Sequence, residues 1–85
     1  MSKVIGIQRT NPRNGAPEEP YRTDKGYCLG DPKHGSKKHH AKYAVYVETL
    51  DAAADLIEQG YSLRMKGEGL RPSLVSPKSL SVVRA

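Results

Sequence analysis

From Lys33 to Lys42 the chain reads Lys-His-Gly-Ser-Lys-Lys-His-His-Ala-Lys, with four of its fourteen Lys and Arg residues, all three histidines and no acid. Ammonium groups on flexible stems neutralise phosphates, and each imidazole adds positive charge as pH falls toward ~6.5. The run therefore predicts a cationic arm for a polyanion, with Lys33, His34, Lys37, Lys38, His39, His40 and Lys42 as its contacting side chains.

The same imidazoles raise the question of a metal. Together with Cys28 they form a C-x5-H-x4-H-H array, and one thiolate with three imidazoles has the donor count of a tetrahedral zinc site. The spacing fits none of the paired-ligand patterns, however, and the neighbouring lysines repel a divalent ion, so no metal or other cofactor is expected.

Nucleophilic catalysis fares no better. Lysines near Cys28 favour its thiolate, yet no orienting carboxylate or local signature accompanies the Cys and His residues, and a lone cysteine behaves as a small core hydrophobe. Gly67-x-Gly69 has no Gly-Lys-Ser/Thr ending and precedes no helix signal, so it is a turn and not a phosphate loop. Asp51, Asp55 and Glu58 recur at helical spacing as a solvated stripe. No reaction is encoded, and the chain is expected to bind rather than to catalyse.

These groups must be held by a small scaffold. Eighty-five residues suit one domain, and six Val, three Ile and seven Leu without any Phe or Trp make a thin aliphatic core. A net charge of +5 and a pI of about 9.5 favour encounters with anionic partners. One cysteine excludes an internal disulfide framework; Gln8-Arg9-Thr10 after Met1 to Ile7 leads to the expectation of no secretory leader, and no run approaches ~20 apolar residues. These features predict a cytoplasmic, monomeric protein of bacterial or phage style with no membrane contact.

Periodicity supplies the elements. Val4 to Arg9 alternates as a first strand. Residues 11–40 hold four of six Pro and four of eight Gly, and read as a long basic loop, ordered or not, with Tyr27-Cys28-Leu29 as its one candidate strand. Lys42 to Glu48 alternates as the strongest strand. Thr49 then caps a helix over 50–59, in which Leu50, Ala53, Ala54 and Ile57 share a face broadened by Leu56, and Gly60 closes it. Tyr61 to Lys66 returns as a strand, completing a βαβ unit over 42–66. Ser73 to Ser76 is extended between Pro72 and Pro77, and Ser79 to Arg84 forms a last strand.

The prediction is an α+β domain over residues 1–85, with a mixed sheet of three to five strands covered on one face by the helix. Its expected core is Ile5, Ile7, Val45, Val47, Leu56, Ile57, Leu63, Met65 and Leu80. Strand parity then leaves Ala44, Tyr46, Ser62, Arg64 and Lys66 on the opposite face. Tyrosine and arginine on an open sheet face can stack on unpaired bases and hold phosphates, as RNA-binding sheets do. Tyr46, Arg64 and Lys66 thus join the arm as expected nucleic-acid contacts, for RNA or DNA. The competing expectation is a protein-interaction or inhibitor module that meets an acidic protein surface through the 11–41 loop.

Overall fold

The computed structural model describes residues 3–34, 44–67 and 72–85. Its strands are β1 (Val4–Thr10), β2 (Pro17–Glu18), β3 (Arg22–Thr23), β4 (Gly26–Gly30), β5 (Ala44–Val47), β6 (Ser62–Met65), β7 (Ser73–Val75) and β8 (Ser81–Arg84), with one helix, α1 (Leu50–Glu58), between β5 and β6. They form a three-stranded sheet in the order β2-β1-β8 and a five-stranded sheet in which β3-β4-β6-β7 run in order and β5 pairs with β4. This is the α+β class expected, with the strands shared between two sheets. No helix among the described residues is long and apolar enough to cross a membrane.

Residues 11–30 depart most from expectation. The candidate strand at Tyr27-Cys28-Leu29 forms as β4 and is the hub of the larger sheet, while β2 and β3 stand where only loop was expected. Leu29 pairs with Val45 of β5 on one edge and Leu63 of β6 on the other, all antiparallel. Strands β5 and β6 therefore run parallel to each other with β4 between them, so the crossover expected over 42–66 is split. Tertiary pairing overrides composition here, since Gly26 and Gly30 are poor strand formers on their own.

Helix α1 forms where the periodicity put it. The Thr49 hydroxyl accepts a hydrogen bond from the Ala52 N–H at 3.2 Å, and Gly60 leaves the helix at φ 101°. Asp51 does more than face the helix dipole, because its Oδ1 accepts the Val4 N–H at 3.0 Å and ties α1 to β1. Arg84 of β8 pairs with Glu58 at the other end of α1.

The core lies between α1 and the two sheets. Ile7, Leu29, Leu63 and Met65 are essentially fully buried there, joined by Val4, Val75 and Ile57. Ala53 and Ala54 are also fully buried, and their small side chains let α1 lie close to the strands. Val45, Val47, Leu56 and Leu80 of the expected core are half-buried.

Ile5 is a correction, for it is 58% exposed. The register of β1 against β8 shifts between Val4 and Gly6, a bulge that inserts Ile5 as an extra residue. Val4 and Ile7, three apart, both reach the core as a result, and Ile5 is turned outward.

Candidate functional site

The sheet face opposite α1 is assembled around Cys28. In β4, Leu29 points into the core and Cys28 to the other side, where Tyr46 is its cross-strand partner. Strand β4 meets β3 through a two-residue turn, Asp24-Lys25, closed by the pairing of Thr23 with Gly26. The Thr23 hydroxyl donates to the Gly26 carbonyl at 2.9 Å and accepts from the Lys25 N–H at 3.2 Å. This turn holds the Lys25 ammonium 5.5 Å from the centre of the Tyr46 ring.

A second cation–ring pair lies along β6. The Tyr21 N–H donates to the Arg64 carbonyl at 2.9 Å, and the Arg64 guanidinium sits 5.3 Å from the centre of the Tyr21 ring. Tyr46 and Arg64 are close enough to sense each other's charge. Two tyrosines and two cations thus occupy one region of the sheet.

The Tyr46 hydroxyl is held above its ordinary pKa. Its hydrogen bond to the Cys28 side chain is the main cause, followed by charge interaction with Cys28 and by burial. The Arg64 charge opposes the rise and the Asp24 charge adds to it. The phenol therefore stays a neutral donor throughout the physiological range, bound on one edge while its ring remains accessible at 37% exposure.

Of the ten side chains expected to touch nucleic acid, the structure brings Tyr46 and Arg64 together. Lys66 belongs to a different surface: its N–H donates to the Glu19 carbonyl at 2.8 Å, and it lines a cleft beside β1. Lys33 is exposed in a 3-10 turn, Pro32–His34, where its N–H donates to Asp31 Oδ1 at 2.9 Å. Lys37, Lys38, His39, His40 and Lys42 lie outside the described residues, as does the surrounding of the His34 side chain.

The face is also less open than strand parity implied. Ser62 and Cys28 are buried on it, and Ala44 and Arg64 are half-buried. Sequence reasoning missed Tyr21 and Lys25. Neither lies in a run with strand periodicity, and each reaches the face through a turn or a single backbone hydrogen bond. The Asp24-Lys25-Gly26 turn signal was the only available clue to Lys25. Among the described residues no cluster of three or more His, Cys, Asp or Glu side chains has the arrangement to hold a metal. Comparisons with protein-family models, with curated proteins and with solved structures find nothing that matches this chain.

Proposed function

We propose that the chain is a small cytoplasmic nucleic-acid-binding module, working as a monomer through the Tyr21–Tyr46 face and the Lys33–Lys42 arm. The observation that carries this reading is the placement of two cation–ring pairs, Arg64 with Tyr21 and Lys25 with Tyr46, on one sheet face. An exposed ring with a cation beside it offers an unpaired base a stacking surface and its phosphate a counter-charge. The +5 net charge supports the reading by steering polyanions toward the molecule. In this arrangement Tyr46 stacks, Arg64 and Lys25 hold backbone phosphates, and the arm adds contacts that any sequence can satisfy.

Fluorescence anisotropy with labelled single-stranded RNA and duplex DNA over a salt series tests it. Tyr46→Ala should weaken single-strand binding by about 1–3 kcal/mol and affect duplex less, because stacking needs an unpaired base. Replacing Lys37 and Lys38 together should flatten the log K against log salt slope on duplex by roughly 1.8, at ~0.9 per phosphate. Binding should also tighten between pH ~7.5 and ~6 as the three histidines gain charge. Failure to bind either nucleic acid at low salt rejects the proposal.

A further inference from the structure

β1 and the segment from Asn11 to Arg22 line a cleft of about 700 Å³, with none of Tyr21, Lys25, Cys28, Tyr46 or Arg64 in its wall. That is within the ~300–1,000 Å³ range of small-ligand sites. Its wall is apolar where Ile5, Ile7, Tyr27 and Leu50 line it, and charged where Glu18, Glu19, Arg22 and Lys66 do. The turn from Asn11 to Ala16 gives it a fixed rim. The Asn11 N–H donates to the Ala16 carbonyl, the Gly15 N–H to the Asn11 carbonyl and the Arg13 N–H to Asn11 Oδ1, each at 2.8 Å.

Glu18 is the unusual member. Its carboxylate is only 6% exposed, and its one described partner is Arg9, whose Nη1 reaches Oε2 at 3.4 Å. Among the described residues nothing donates to Oε1. A buried carboxylate has room for several donors, and leaving that capacity unused costs free energy. A ligand carrying an ammonium group would satisfy it. Arg22 and Lys66 carry the opposite charge and suit a carboxylate, and the outward-turned Ile5 adds to the apolar wall.

We infer that this cleft binds a small zwitterion with an apolar body, its ammonium on Glu18, its carboxylate toward Arg22 and Lys66, and its apolar part against Ile5 and Leu50. A free aliphatic amino acid and a whole short apolar peptide share that chemistry, since each carries both an ammonium and a carboxylate. The site uses none of the residues that form the Tyr46 face, so it stands independently of nucleic-acid binding.

Amide NMR titration of the full chain with leucine, trileucine, N-acetyl-leucine and leucinamide tests the inference. Leucine or trileucine should shift the amides of Ile5 to Gln8, Glu18, Tyr27 and Leu50, and the tighter of the two identifies the source. N-acetyl-leucine lacks the ammonium and leucinamide the carboxylate, and each should bind about tenfold more weakly than leucine. Glu18→Gln keeps an acceptor for Arg9 but removes the charge, and should weaken leucine about tenfold while leaving N-acetyl-leucine unchanged. Arg22→Gln changes an exposed side chain, and should weaken leucine but not leucinamide. No shift at the cleft with leucine or trileucine up to about 10 mM overturns the inference. So does equal binding of leucine and its two blocked forms by the unaltered chain, which decides the matter even if Glu18→Gln fails to fold.

Discussion

Leu29 and Cys28 are neighbours in β4, both wholly inaccessible, and they are buried by different means. Leu29 lies in a continuous aliphatic core under α1, with Ile7, Leu63 and Met65 around it. Cys28 lies outside that core, on the face opposite α1, where Tyr46 bonds to it. Burial of a side chain such as Leu29 stabilises by about 1.5–3 kcal/mol through the area it removes from water. The Cys28 side depends on a few individual polar and ring contacts, each worth about 1 kcal/mol or less. One face of the sheet is therefore held mainly by buried area, and the other by individual contacts.

The most severe way to break this comparison is to damage both faces at once, and Gly26 is the place. It opens β4 at φ 104°, and a Cβ there would lie 2.2 Å from the Val47 carbonyl oxygen. Alanine is strained by its φ and forces β4 away from β5, which displaces Tyr27, Leu29 and Cys28 together. Gly26→Ala should cost at least about 3 kcal/mol, a large fraction of what a domain this small holds. Urea unfolding followed by circular dichroism would check it. A midpoint within error of the parent would mean that β4 and β5 do not approach in this way.

The next test separates the core face from its margin. Ile57 is buried at 6% exposure and Leu56 is half-buried, although both belong to one apolar stripe in the sequence. Ile57→Ala should cost about 2–5 kcal/mol and Leu56→Ala about 1–2 kcal/mol, measured as a shift in urea midpoint at constant slope. Equal losses would show that α1 is rotated relative to the sheet.

The two faces also differ in how much of them could be read beforehand. The helix, its Thr49 cap, its Gly60 stop and the inward Ile57, Leu63 and Met65 were legible because periodicity and capping are local. Tyr46 and Arg64 were legible as members of one face because strand parity is local too. What was not legible depended on partners distant in sequence. The bulge that expels Ile5 is fixed by the pairing of β1 with β8, nearly a whole chain length away. Strand β4 becomes a hub only because β5 and β6 flank it, and its glycines, read alone, suggest a turn. Tyr21, Lys25 and Glu18 acquire their places from turns and two-residue strands too short to carry a period.

The smallest expected effect sharpens the comparison on the Cys28 side. Tyr46→Phe keeps the ring over β4 and removes the hydroxyl bonded to Cys28, so below pH ~9 it should cost under about 1 kcal/mol. The pH dependence tells more than the magnitude. The hydroxyl's pKa is raised in the folded state by Cys28, burial and Asp24 against the pull of Arg64, with the Lys25 ammonium also over the ring. A pKa raised on folding contributes stability that is fully present below the unfolded value of ~10 and is lost as pH rises through the folded value. The parent should therefore lose its advantage over Tyr46→Phe between pH ~10 and the folded value, and the two urea midpoints should converge. Tyr46→Phe removes one hydroxyl, so the difference between the two curves follows that group together with the Cys28 side chain it bonds. A difference that stays constant from pH ~8 to ~11 would mean that the hydroxyl has no such bond in the folded state.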